Sequence, residues 1–278
     1  MGGSLSHRFR VSNGVKQGGI LSPFLFNCYL DDLSSRLNEV NVGCLIGGRK
    51  VNHLFYADDI ALIAPSTKGL QSLLDTCADY AIPYLLNFNP IKSQVMIFRT
   101  KNYTTITFPR FHLNGVPLDE VNQFKYLGHF ISSDLADDHD IIRATKSVYA
   151  TCMSLVRRFN MCDKPVKIRL FNTYCSQVYT SHLWNTYKET TLNKASVAYN
   201  KVFRMLMKVP RYTDQGNYSA SRLFASCGVR NLSNVIRKEV HGFRNRVLNS
   251  DNGLLQAVCF NFNSSRLFHF WGRALRPP

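Results

Sequence analysis

Acidic residues are scarce in this 278-residue chain: 18 Asp and Glu stand against 34 Lys and Arg, a formal net charge of +16. Such a surplus points to a polyanionic partner, nucleic acid first and an anionic membrane surface second, with a merely solvated basic surface as the alternative. Long apolar runs are missing as well. No stretch approaches the ~18–20 continuous apolar residues that a bilayer-spanning helix needs. Met1 to Arg8 contain no apolar core of a secretory signal, so neither a membrane span nor export is expected. None of the eight cysteines stands in a C-x-x-C pair, and no Cys/His cluster has zinc-ligand spacing. Mostly buried thiols in a reducing, intracellular compartment are expected. Repeats and low-complexity segments are absent too. What remains is 45% hydrophobic and 19% charged, a globular composition long enough for one large domain or two ordinary ones.

The charge is unevenly spread. Residues 1–130 hold 12 basic and 9 acidic residues, whereas residues 131–278 hold 22 and 9. Patterning changes at about the same place. Phe9-Arg10-Val11 reads as a short strand and Ser12-Asn13-Gly14 as a turn. Ser22-Pro23 starts a helix through Leu30, Leu33 and Leu37, with Ser22 as its cap. Asp31 and Asp32, at the end of that helix, read as surface charges. Asn41 to Lys50 suggests a loop or short hairpin turning at Gly47-Gly48. Residues 51–64 read as two short buried strands, and Thr67 to Tyr80 as an amphipathic helix. Val95 to Phe98 suggests a strand, Phe111 to Leu113 with Asn114-Gly115 a hairpin, and Phe124 to Ile131 one further strand. From Ile141 onward, apolar residues recur at helical spacing. One helix is expected over Ile141–Asn160, a second from Pro165 through Leu183, and a third capped by Thr191 and ending before Pro210. Weaker helices are expected over Ser219–Cys227 and Ser233–Leu248. The fold class is therefore α+β, then mostly α, with a boundary near residue 135.

Within residues 51–64, apolar residues flank Asp58 and Asp59 on both sides. Adjacent carboxylates held in an apolar setting repel each other unless a cation offsets them. Oxygen ligands suit Mg²⁺ or Mn²⁺, and such a pair at a strand edge fits two-metal phosphoryl transfer. An ordinary exposed Ala-Asp-Asp turn is the alternative that the residues alone leave open.

Four blocks occur in order. Gly14-Val15-Lys16-Gln17-Gly18-Gly19-Ile20-Leu21-Ser22-Pro23-Phe24-Leu25-Phe26-Asn27 comes first. Tyr56-Ala57-Asp58-Asp59 follows, then Asn89-Pro90-Ile91-Lys92-Ser93-Gln94-Val95-Met96-Ile97-Phe98, then Phe124-Lys125-Tyr126-Leu127-Gly128. Together they closely resemble consecutive blocks of LINE-type (non-LTR) retrotransposon reverse transcriptases. The resemblance implies a partial right-hand polymerase. Residues 1–132 would be part of the fingers and palm, residues 133–215 a helical thumb-like region, and residues 216–278 a helical C-terminal region.

Site roles follow from the resemblance position by position. Asp58 and Asp59 would be catalytic metal ligands for Mg²⁺ or Mn²⁺. Tyr56 would pack near the primer end, and Gln17 and Gly18 would line the template and nucleotide pocket. Lys92 would face the incoming triphosphate, a surface lysine being the alternative. Tyr126, Leu127 and Gly128 would shape the primer grip. The partners implied are an RNA template, a DNA primer, their RNA/DNA duplex and deoxynucleoside triphosphates. Target-primed integration in the family implies nuclear placement. By charge, Arg143, Lys146, Arg157 and Arg158 are candidates for tracking a nucleic-acid backbone, with Lys167 among the later basic residues.

The family also uses a third carboxylate upstream of the Gln17-Gly18 block. No Asp or Glu precedes Asp31. The expectation is an N-terminally truncated reverse transcriptase segment that is a poor or inactive polymerase alone. A non-catalytic nucleic-acid-binding remnant is the alternative, and a relic without function a third.

Overall fold

The computed structural model describes residues 7, 14, 16–99, 108–213, 216–261, 268–269 and 271–272. The expected strand at Phe9–Val11 and most of the turn after it lie outside these residues. The chain divides into two compact units, the first drawn from residues 1–95 and 105–120, the second from 96–104 and 121–278. Both helices and strands are present, and among the described residues every sheet is a two-stranded ladder. No described helix is long and apolar enough to cross a membrane.

In the first unit, α1 (Ser22–Glu39) buries Leu30, Leu33 and Leu37. These pack with Leu73, Cys77 and Tyr80 of α2 (Thr67–Ala81) in one core. Contrary to the sequence expectation, Ser22 does not cap α1 but is its first residue, and its hydroxyl donates to the Lys16 carbonyl. Pro23, which lacks the amide hydrogen that a first turn leaves unbonded, fits there. Asp31 and Asp32 lie on the exposed face in mid-helix rather than at its end, and Asp32 pairs with Arg36 at 3.1 Å. Ser66 caps α2 by accepting from the Gly69 amide at 3.2 Å.

The strands β1 (Cys44–Ile46) and β2 (Arg49–Val51) form the hairpin expected at Gly47-Gly48. Next come β3 (His53–Tyr56) and β4 (Asp59–Leu62), joined by a two-residue turn. They are half-buried rather than buried, because only one face meets the core. Of the strand expected over Val95–Phe98, only β5 (Gln94–Val95) forms, and 96–99 have no regular structure. Hairpin β6 (His112–Leu113)–β7 (Val116–Pro117) turns at Asn114-Gly115, and β8 (Asp119–Glu120) pairs in parallel with β5.

The second unit opens on hairpin β9 (Gln123–Tyr126)–β10 (His129–Ser132), where the sequence suggests a single strand. The apolar run Phe124–Ile131 hides a turn at Leu127-Gly128, both at positive φ. Among the described residues, the helices delimited after this hairpin are α3 (Asp138–Arg158), α4 (Lys164–Tyr174), α5 (Glu189–Met207), α6 (Ala220–Ser226), α7 (Leu232–Leu248) and α8 (Gly253–Asn261). A short ladder of β11 (Tyr212–Thr213) and β12 (Gly216–Asn217) stands between α5 and α6. The second expected helix stops at Tyr174 instead of continuing to Leu183; only a 3₁₀ turn, Ser181–Leu183, forms there. Thr191 does not cap α5 but lies inside its first turn, bonded to Asp138. The core joins α3, α4, α5, α6 and α7, with Phe171, Tyr199, Phe203 and Phe224 ring to ring. All eight cysteines are free thiols, and only Cys77, Cys152 and Cys175 are buried, fewer than expected.

Candidate active site

The acidic pair sits at the tip of the β3–β4 hairpin. Tyr56 pairs with Asp59, so Ala57 and Asp58 make the turn. Ala57 adopts φ +52°, a left-handed conformation that costs a non-glycine residue about 1–2 kcal/mol. Tyr56, Asp58 and Asp59 are all exposed. The desolvation argument for a metal between buried carboxylates therefore does not apply; water screens the pair. Among the described residues, neither carboxylate takes part in an ion pair or a side-chain hydrogen bond. Nor do the described residues contain a group of three or more His, Cys, Asp or Glu suited to a metal ion. The two carboxylates supply hard oxygen ligands of the kind Mg²⁺ takes, but only part of a shell.

The base of the same hairpin is firmly held. Phe55, Ile60 and Leu62 pack on the α1–α2 core. Asn52, fully buried, donates from Nδ2 to the Leu37 carbonyl at 2.6 Å, which leaves its Oδ1 as an acceptor. That oxygen lies 2.7 Å from His53 Nδ1, so Nδ1 carries the proton. His53 Nε2 must then accept from the Ser34 hydroxyl at 2.8 Å. Burial lowers the His53 pKa, in keeping with this neutral tautomer. A fixed base with a projecting acidic tip is thus written into Ser34, Asn52 and His53, residues to which no motif draws attention.

Gln17 and Gly18 form an exposed turn just before α1, with Gly18 at φ +78°. Lys92 lies exposed in a turn built by Asn89, whose side chain accepts from the amides of Ile91 and Lys92. No described hydrogen bond joins Gln17, Gly18 or Lys92 to the Asp58–Asp59 turn.

Tyr126, Leu127 and Gly128 lie at the β9–β10 turn. Leu127 has φ +46° and Gly128 φ +85°. A Cβ on Gly128 would come within 2.7 Å of the Tyr179 ring, so glycine is required there twice over. The Tyr179 hydroxyl donates to the Leu127 carbonyl at 3.1 Å.

Beneath this turn lies Asp140, without solvent exposure. It accepts from the Phe130 amide (3.1 Å), Arg143 Nε (2.7 Å), the Thr180 hydroxyl (2.7 Å) and Trp184 Nε1 (2.8 Å). His129 Nδ1 is 3.1 Å away, close enough for ion pairing but off the line of a hydrogen bond. Burial alone would raise the Asp140 pKa; the contacts from His129, Arg143, Trp184 and Thr180 outweigh it and hold the carboxyl well below the usual carboxylate range. Asp137 differs: burial raises its pKa, although it accepts from the amides of Asn185 and Thr186.

The candidate backbone-tracking residues on α3 divide accordingly. Arg143 is committed to Asp140 and Thr180. Lys146, Arg157 and Arg158 are exposed, and the last two line a shallow groove with Tyr149, Met153 and Ser154. Lys167 is buried and donates to the Asn160 carbonyl at 2.8 Å, so it contributes no surface charge.

Residues 1–131 match the family of reverse transcriptases (RNA-dependent DNA polymerases). A probable RNA-directed DNA polymerase from transposon BS of Drosophila melanogaster is 28% identical over 211 residues, 72% of this chain and 23% of that protein. A Pol polyprotein of the type-1 retrotransposable element R2 from Popillia japonica is 34% identical over 139 residues, 48% of this chain and 23% of that one. The RNA-directed DNA polymerase of the mobile element jockey from Drosophila funebris is 26% identical over 213 residues, 73% and 22% of the two chains. This chain thus spans less than a quarter of the length of each of these relatives. The exposed acidic turn between β3 and β4 falls within the matched stretch, and residues 1–131 are a reverse transcriptase domain homologous to those of LINE-type, non-LTR retrotransposon RNA-directed DNA polymerases.

Proposed function

We propose that this chain acts on an RNA template and a DNA primer, as a palm-and-thumb segment of RNA-templated DNA synthesis. The observation that carries the reading is the exposed Asp58–Asp59 turn, projecting from an anchored hairpin inside a reverse transcriptase domain. Asp58 and Asp59 would hold Mg²⁺ or Mn²⁺, which when bound offsets negative charge on phosphate oxygens. Tyr56, beside the pair, would pack near the primer end. Gln17 and Gly18 would line the template and nucleotide pocket, where an exposed glycine lets a base or sugar approach the backbone. Lys92 would neutralise charge on the leaving pyrophosphate. Tyr126, Leu127 and Gly128 would form the primer grip, and Lys146, Arg157 and Arg158 would meet the duplex backbone.

Among the described residues the acidic set at the turn stops at two carboxylates. A missing ligand misplaces the reacting groups, and small misplacements cost about 10²-fold in rate. Extension by this chain as it stands is therefore expected to be slow. The same count favours a second reading, a nucleic-acid-binding segment without catalysis.

The test is primer extension on an RNA template with Mg²⁺, using the chain and its Asp58→Asn variant, alongside duplex binding at two salt concentrations. Expected are binding that weakens steeply with salt and any extension vanishing in the variant. Extension that survives Asp58→Asn overturns the assignment of that carboxylate. Salt-sensitive binding without extension in either protein selects the second reading. Absent or salt-insensitive duplex binding overturns both.

A further inference from the structure

The β9–β10 turn is held at two levels. At its tip, the Tyr179 hydroxyl donates to the Leu127 carbonyl, and its ring lies against Gly128. In mid-strand, the Phe130 amide donates to Asp140. Both levels lead back to one short segment. Thr180, next to Tyr179, donates to the other oxygen of Asp140 and also meets Arg143 at 3.2 Å, while Trp184 donates to that same oxygen.

Four donors, from β10, α3 and the 180–184 segment, fill the roughly four lone-pair sites of one carboxylate. The segment itself is held in an unfavourable conformation: Thr180 is β-branched yet has φ +70°. A buried ion pair that only fills the core can be replaced, both partners together, by apolar side chains at little cost. Asp140 instead reaches a strand amide and the residue that carries Tyr179. Tyr179 in turn remains 64% exposed, so its ring does little for the core.

We propose that Asp140 and Tyr179 are positioning residues that fix the pitch of the Leu127-Gly128 turn, and thereby the placement of a primer terminus lying on it. The second half of this statement rests on the primer-grip reading above; the first half does not.

The experiment uses the whole chain with Tyr179→Phe, which removes one exposed hydroxyl and preserves the ring, and with Asp140→Asn. Amide hydrogen exchange is measured without nucleic acid. Fluorescence is then read from 2-aminopurine at the primer 3′ end or ten base pairs upstream in an RNA/DNA duplex. In Tyr179→Phe, exchange at residues 127–130 should quicken about five-fold, the equilibrium value of one ordinary hydrogen bond. The terminal probe should change while the upstream probe does not. Asp140→Asn should extend the faster exchange along β9 and β10; if it fails to fold, Tyr179→Phe carries the test. Unchanged exchange in Tyr179→Phe overturns the clamp. Faster exchange with an unmoved terminal probe overturns its link to the primer end. If the unsubstituted chain binds no duplex, the primer-terminus half is overturned, while the clamp stands or falls on exchange alone.

Discussion

Two non-glycine residues, Ala57 and Leu127, occupy left-handed backbone at the two turns that the resemblance singles out. Each costs about 1–2 kcal/mol relative to a residue that tolerates φ > 0. Strain of this kind persists only where the surroundings over-determine it. At Leu127 the surroundings are Gly128, Tyr179 and the strand pair below. Leu127 is 37% exposed, so its replacement gives up part of its burial, which offsets some of the strain relieved. Leu127→Asn, a residue that accepts left-handed backbone, should therefore stabilise the chain by about 0.5–1 kcal/mol, a rise of roughly 1–4 °C in melting temperature. A melting temperature that falls instead would show that the Leu127 side chain packs in a way its exposure does not suggest. Asp140 shows the opposite residue-level case. Nothing about the last Asp of Asp137-Asp138-His139-Asp140 marks it as a hub, and a basic helix read from Ile141 leaves it out by one position. Only the fold brings Phe130, Thr180 and Trp184 to it.

At the scale of elements, α3 carries Asp138 and Asp140 in its first turn and Arg157 and Arg158 in its last, matching the helix dipole at both ends. The acidic end is engaged in internal hydrogen bonds, whereas the basic end faces solvent. Glu at Lys146, Arg157 and Arg158 should thus weaken duplex binding and reduce the salt slope by about one for each phosphate left without its cation. Arg143→Gln should instead lower the unfolding midpoint, because it removes a donor from a buried carboxylate. Anisotropy titrations at two salt concentrations and urea melts distinguish the two classes; a salt slope unchanged by the triple variant removes α3 from the interface. The elements legible in the sequence carry local punctuation: Gly47-Gly48, Asn114-Gly115 and Pro23. The others lack it. Leu127 interrupts no apolar pattern, so a hairpin looks like one strand. Phe171, Tyr174 and Val178 keep helical spacing across the exit of α4, and only the left-handed Thr180 shows that the chain has turned. The acidic turn is readable from Tyr56 to Asp59, but its exposure is not. Apolar flanks suggest burial, whereas burial depends on which neighbours cover each strand face.

The whole chain is strongly basic, and acid adds to that charge as carboxylates protonate, which raises self-repulsion in the compact state. Two histidines make it sensitive to acid earlier than carboxylates would. His53, in the first unit, is pushed below 6.5 by burial. His182, in the second, is pushed down to about 4 by burial first, then by Arg246 and His129, and its ring lies tilted against Phe243, 4.2 Å between ring centres. Both are neutral in the folded chain. Once unfolded, they bind protons near pH 6.5, so the unfolded state takes up more protons through the window from about 6.5 to about 4. Stability is then full above about pH 6.5 and falls as pH drops through that window. Asp140, held below the carboxylate range, keeps its contribution throughout and gives it up only at lower pH. Asp137, raised by burial, works against the trend, because protonation relieves a buried charge. The histidines therefore set the slope on the acid side of neutrality. Thermal melts at half-unit steps from about pH 7 to about pH 4 should show a progressive fall, and His182→Phe, which keeps a ring against Phe243, should flatten the part belonging to the second unit. A melting temperature constant across the window, or a slope untouched by His182→Phe, would mean that His182 protonates in the folded chain without resistance, contrary to its burial.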